Sequence, residues 1–210
     1  MTREEFETIL CPGDDAYLEM INKVVPYYTI KQSIIANFNP IKIVEIGVRA
    51  GYSAWAFLKM CPKAEYIGID ADNNTYGGED GPWIWWAHKI LKDFNYKIDE
   101  YDIQKVKWIE PATFYHIDGD HSYEGVRHSL GLCYQSLMIN GVILVDDDYQ
   151  DSVRDGILSW VKDKPVLTKH IESFRGELLI CNSNSVPQAW YTLMGKKISI
   201  KNKLNNMRKD

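Results

Sequence analysis

The stretch Phe114-Tyr115-His116-Ile117-Asp118-Gly119-Asp120-His121-Ser122-Tyr123-Glu124-Gly125-Val126-Arg127 concentrates acids, histidines and glycines at what reads as the end of a strand. Asp118 closes the run Thr113 to Ile117. Asp146 and Asp147 close a second run, Val142 to Val145, within Leu144-Val145-Asp146-Asp147-Asp148. If the two runs are neighbouring parallel strands, their ends lie about 5 Å apart, and the carboxylates can meet around one hard cation such as magnesium, manganese or calcium. Without a cation, like charges at that spacing repel. The alternative is a solvated acidic strand end, and Asp148 can stand in for one of the pair. His121 follows Asp118 by three residues. Its imidazole titrates near neutrality and suits proton transfer; the other reading is a cap on the following helix. His116 lies inside an apolar strand and reads as a satisfied core residue. His88, His128 and His170 have no comparable context.

A second cluster lies upstream, in Val44-Glu45-Ile46-Gly47-Val48-Arg49-Ala50-Gly51-Tyr52-Ser53, which runs from strand to helix. Gly47 and Gly51 let the backbone turn sharply and a ligand approach closely, and the helix beyond offers unpaired amides. Asp70 ends Tyr66-Ile67-Gly68-Ile69-Asp70, where a carboxylate can accept hydrogen bonds from both ribose hydroxyls. Loop and acid together indicate a nucleoside cofactor. The bland reading is a strand–glycine–helix turn with an Asp capping the next loop.

These residues need a scaffold of alternating strands and helices. Residues 15 to 38 carry apolar positions at helical spacing, ended by Asn39-Pro40. Strands are expected over 41–46, 65–69, 96–102, 113–117 and 142–145, with helices over 53–60, 83–94, 123–139 and 152–161. Residues 73–82 read as a loop, and Gly141 as the C-terminal cap of the helix before it. The link before the fourth strand is too short for a full crossover helix. Val166 to Glu172 and Glu177 to Cys181 read as a hairpin around Phe174-Arg175-Gly176. The expected fold is a single α/β domain, Rossmann-like and doubly wound. Its seven-stranded sheet is mostly parallel and ends in an antiparallel hairpin. N-terminal helices cover 1–39, the core 40–185, and a tail 186–210. Trp83, Trp85 and Trp86 serve either core packing or a lid.

At this point the sequence resembles the class I S-adenosylmethionine (SAM)-dependent methyltransferases, whose first motif is a strand ending in E-x-G-x-x-x-G. The G-x-x-x-G spacing favours SAM over a dinucleotide. The Ile117-to-Val126 stretch resembles a subgroup with an IDGDHSYEGV-type motif, related to the macrolide-sugar and catechol-type metal-dependent O-methyltransferases. The resemblance spans residues 40 to 182. It implies SAM on Glu45, Gly47, Gly51, Tyr52 and Ser53, with its ribose on Asp70, adenine beside Asp102, and Asp118 bordering the site. It implies a divalent cation, magnesium, on Asp118, Asp146 and Asp147, with His121 and Asp118 catalytic. The implied activity is O-methylation of a small hydroxyl acceptor, a sugar, polyol or catechol. Relatives linked to hydroxylation, or a module that binds SAM without turnover, are the competing readings.

Composition fits a globular protein: 210 residues, 45% hydrophobic and 25% charged. A net charge of −5 argues against general nucleic-acid binding, and no N/D-P-P-Y/W motif is present. Cys11, Cys61, Cys133 and Cys181 are dispersed and read as buried free thiols in a reducing compartment. No apolar run is long enough for a membrane span, and the acidic N-terminus lacks a signal-peptide core. A cytoplasmic protein is expected, with homo-oligomerisation left open. The basic tail from Lys196 reads as a solvated end.

Overall fold

The computed structural model describes residues 1–71 and 81–195. The loop expected over 73–82 therefore lies, up to residue 80, outside the described residues, as does the basic tail. The strands are β1 (Lys42–Ile46), β2 (Glu65–Asp70), β3 (Tyr96–Glu100), β4 (Ala112–Ile117), β5 (Leu137–Val145), β6 (Val166–Ile171) and β7 (Glu177–Asn182). The helices are α1 (Arg3–Ile9), α2 (Asp15–Glu19), α3 (Ile21–Phe38), α4 (Tyr52–Met60), α5 (Trp83–Leu91), α6 (Tyr123–Ser136), α7 (Asp151–Val161) and α8 (Gln188–Gly195).

One seven-stranded sheet has the order β3-β2-β1-β4-β5-β7-β6. The first five strands pair in parallel, and β7 joins β5 and β6 antiparallel. The chain reverses direction across the sheet between β1 and β4, and the crevice at that switch point is the usual ligand site of an open α/β sheet.

Both faces of the sheet are covered, so the strands read as nearly unbroken apolar runs. Val44, Ile46, Tyr115, Ile117, Ile143 and Val145 pack towards α6 and α7. The alternate residues Ile43, Tyr66, Phe114, Val142 and Leu144 pack towards α3, α4 and α8. That period of two decides where each polar strand residue points.

Several expectations need correction. The helix expected over 15–38 is two helices, α2 and α3, divided at Met20. The break lets α2 lie over the loop that follows β1. The helix expected over 123–139 ends at Ser136, and Gly141 does not cap it. β5 begins at Leu137 through an irregular register with β4, and Asn140 is left-handed at φ 62°. A Cβ at Gly141 would stand 2.8 Å from the Met138 carbonyl and 3.1 Å from that of Thr113. The glycine thus serves a tight strand entry. The segment expected as tail contains α8, which buries Trp190 and Leu193. The reduced crossover before β4 is a single 3₁₀ turn, Ile103–Lys105. The four cysteines are free and buried. Among the described residues no helix is long and apolar enough to cross a membrane.

Candidate active site

The loop from β1 to α4 is shaped by its backbone geometry. Gly47, Arg49 and Gly51 all have positive φ, at 85°, 46° and 76°. A side chain at Gly47 would collide with the Asp118 carbonyl, and one at Gly51 would come within 2.9 Å of the Ala87 Cβ. Glycine is needed at both positions because strand ends and helix pack that closely. Asp70 Oδ2 accepts the Val48 amide at 2.7 Å and the Arg49 amide at 2.9 Å, so the end of β2 pins the loop.

The structure brings Gly47, Gly51 and Asp70 together. The polar side chains beside them turn inward. Glu45, fully buried, accepts hydrogen bonds from the Ser53 and Tyr66 hydroxyls, and its Oε1 lies 2.6 Å from His116 Nδ1. Tyr52 donates to Asp14 and accepts from the Cys11 amide, each at 2.9 Å. Glu45, Tyr52 and Ser53 therefore support the loop from beneath. Asp102 lies two residues beyond β3 and caps the 3₁₀ turn by accepting the Gln104 amide at 2.9 Å.

The N-terminal helices close over this loop. The Arg49 guanidinium pairs with Asp14 at 2.8 Å and lies 4.1 Å from the Trp83 ring and 4.8 Å from that of Tyr17. Trp83 and Trp86 are buried with Phe6, Tyr28 and Tyr52, whereas Trp85 is 63% exposed. Of the tryptophan cluster, two members pack in the core at helical spacing.

At the other end of the crevice, the parallel ladder continues one residue past the strands. The Asp118 amide donates to the Ile46 carbonyl at 2.8 Å, and that of Asp146 to the Ile117 carbonyl at 2.9 Å. The acids beyond divide into two sets around Asp118. The inner set is His116, Asp118 and Asp146; the outer set is Asp118, His121 and Asp147. Within each set the ligand-capable atoms lie within 4.8 Å of one another.

The inner set already holds a cation. The fully buried Lys31 ammonium lies 2.6 Å from His116 Nε2, 2.9 Å from Asp146 Oδ2 and 3.3 Å from Glu177 Oε1. An ammonium can only donate, so Nε2 accepts and the His116 proton sits on Nδ1, facing Glu45. Asp146 Oδ2 also receives the Tyr27 hydroxyl, and its Oδ1 receives the Asp147 amide at 2.9 Å. Burial opposes ionisation of Asp146, but the Lys31 ammonium and the Tyr27 hydroxyl outweigh it and hold the carboxyl below its ordinary range. Glu177 has neither oxygen hydrogen-bonded, its contact with Lys31 being poorly aligned, and burial pushes it up to about 7 despite that ammonium. Asp148 pairs with His170 at 2.6 Å and leaves the cluster.

The outer set faces the crevice. His121 Nε2 is 3.4 Å from Asp118 Oδ1 and 3.3 Å from Asp147 Oδ2, and the Arg175 guanidinium lies 3.4 Å from Asp147. Burial and the neighbouring Asp146 carboxylate push Asp118 up to about 6. Burial disfavours the His121 imidazolium, but the hydrogen bond and charge of Asp118, with Asp147 behind it, raise its pKa above the ordinary value. His121 does not cap α6; the Ser122 side chain does, by accepting the Gly125 amide at 3.1 Å. Of the expected metal trio, the structure sets Asp118 and Asp147 side by side, while Asp146 belongs to Lys31.

This geometry meets a family pattern at the same residues. A methyltransferase-domain family matches residues 44–148, half of the chain. The chain belongs to that methyltransferase family. The match runs from the middle of β1 through the acids after β5. Solved structures similar to this methyltransferase include the O-methyltransferase from Bacillus cereus in complex with SAH (TM-score 0.57, 14% identity, 73% of this chain and 79% of that one). TomG from Streptomyces achromogenes, an O-methyltransferase of tomaymycin synthesis in complex with SAM, gives a TM-score of 0.57 at 13% identity over 75% and 79% of the chains. CalS11, a TDP-rhamnose 3'-O-methyltransferase of calicheamicin biosynthesis, gives 0.56 at 12% identity over 73% and 77%. At these identities the likeness is one of fold. No curated protein matches the chain.

Sequence reasoning missed Lys31, Tyr27, Glu177 and Arg175. A signal for the first was present: Lys31 falls on the buried stripe of α3, in step with Val24, Tyr27, Tyr28, Ile34 and Ile35. A lysine at such a position must find carboxylates.

Proposed function

We propose that this chain transfers the methyl group of SAM to a hydroxyl of a small acceptor, a sugar, polyol or catechol-like molecule. The observation that carries the reading is the convergence of Asp118, His121 and Asp147 beside the Gly47 loop. The loop suits SAM through its backbone: three left-handed residues turn the main chain at the switch point, and Asp70 fixes it from the end of β2. When bound, the cofactor supplies a methyl group on a sulfonium sulfur.

His121 is the base. Its neutral imidazole takes the proton of the acceptor hydroxyl, and Asp118, 3.4 Å from Nε2, then stabilises the imidazolium. Asp147, steadied by Arg175, meets the same Nε2 at 3.3 Å and adds its charge to that of Asp118. Holding the acceptor hydroxyl against His121 is where much of the rate would arise.

Asp118 and Asp147 also fit a divalent cation, because their oxygens make only long contacts of 3.3–3.4 Å and face each other across adjacent strand ends. Such a cation, magnesium or manganese, would lower the pKa of an acceptor hydroxyl. Asp146 would stay with Lys31.

S-adenosylhomocysteine formation, measured over sugar, polyol and catechol acceptors with added magnesium or manganese and after chelation, tests the reading. Turnover abolished by chelation and restored by metal is the expected result. Full turnover after exhaustive chelation removes the cation from the mechanism. A folded protein that binds no SAM by calorimetry overturns the methyltransfer reading itself.

A further inference from the structure

Beneath the crevice runs a row of buried polar side chains on one face of the sheet. Tyr66 on β2, Glu45 on β1, His116 on β4, Asp146 after β5 and Glu177 on β7 share that face, because strand residues alternate and the registers align Glu45 with His116. Lys31 enters the row from α3 and is its only ammonium among the described residues. Its side chain is fully buried, as are those of Asp146 and Glu177. A buried ion pair is rarely kept for stability, since well-packed apolar residues of similar volume often serve as well.

The contacts of Asp146 give it a different use. Asp147 is a non-glycine residue held at φ 57°, a strained backbone conformation. Its amide donates to Asp146 Oδ1, while Asp146 Oδ2 is gripped by Lys31 and Tyr27. Fixing one carboxylate oxygen orients the other, and that oxygen holds the strained turn. The turn in turn sets the Asp147 carboxylate against His121 and Arg175.

We propose that Lys31 is a positioning residue: a built-in cation that locks Asp146, and through it the left-handed turn presenting Asp147 to His121. The proposal rests on the reading of Asp147 and His121 as the reacting end of the crevice. It acts through two carboxylates, and Lys31 itself touches no substrate.

The test uses the full chain with Lys31→Met, and with Lys31→Met/Asp146→Asn, which removes the ammonium together with the carboxylate it grips most closely. Amide hydrogen exchange of Asp147, compared with Ile143, Leu144 and Val145 on the same strand, is the first readout. In whichever variant folds, exchange at Asp147 is expected to accelerate at least 10-fold while the strand amides stay protected. The single-turnover methyl-transfer rate is expected to fall about 10- to 100-fold with SAM affinity unchanged. Unchanged protection at Asp147 overturns the proposal, as does equal acceleration along the whole strand, which marks a merely structural lysine. A wild-type chain that transfers no methyl group to any acceptor would defeat the proposed function, yet the exchange comparison would still decide the role of Lys31.

Discussion

At the β1–β2 end of the crevice, Glu45, Ser53, Tyr66 and Asp70 close short hydrogen bonds within the fold, and the loop above them is rigidly based. At the β4–β5 end, Asp118, His121 and Asp147 meet only through contacts of 3.3–3.4 Å. One region holds its shape by satisfied neutral and charge-assisted bonds. The other is kept under electrostatic tension, with Asp118 pushed up to about 6 and a buried ammonium behind it. The difference matches two tasks. A cofactor cradle needs a fixed backbone, whereas groups that take up protons or cations need oxygens not already committed.

The sharpest way to break this comparison is His121→Ala. If the open end does the chemistry, the methyl-transfer rate falls about 10²- to 10⁴-fold, while calorimetric SAM affinity holds. A near-normal rate in this variant would reduce the open end to a surface cluster.

Asp70→Ala probes the closed end and has a smaller expected effect. It removes the acceptor for two loop amides, and the carboxylate that the resemblance assigns to the ribose. SAM binding should weaken by about 1.5–3 kcal/mol, the range for hydrogen bonds to a charged group, with the rate at saturating SAM nearly preserved. Calorimetry on the folded variant checks it, and unchanged affinity would mean that the loop is held without Asp70.

The smallest effect is a shift in pH dependence. The base must be neutral, and its neighbours raise the His121 pKa, so the acid limb of the rate should have its midpoint above the ordinary histidine value of about 6.5. The same shift makes His121 stabilising: that contribution is full below the unfolded pKa and is lost as pH rises through the folded one. Asp118→Asn removes the hydrogen-bonded carboxylate, so the acid limb should move to lower pH. A pH–rate profile that stays in place would separate His121 from Asp118.

Much of the fold was legible because apolar runs and turn residues report on local geometry. The alternation of strands and helices, the reduced crossover before β4 and the terminal hairpin all followed from runs a few residues long. The division at Met20 and the strand entry at Gly141 did not, since both are settled by what α2 and β5 pack against. Likewise, the E-x-G-x-x-x-G loop and the strand-end acids were visible as types and spacings, but the direction of each side chain was not.

By itself, the sequence determined which residues end the strands, and so which acids gather at one edge of the sheet. That follows from the period of two and the chain order of the motifs. Only the tertiary structure decided how those acids are shared. Asp146 and Asp147 are adjacent in the chain, yet one turns to Lys31, 115 residues away, and the other to His121 and Arg175. The choice depends on α3 laying a buried ammonium across the sheet, and on the desolvation that makes such a charge seek the nearest carboxylate. No local pattern around Asp146 records the approach of that helix.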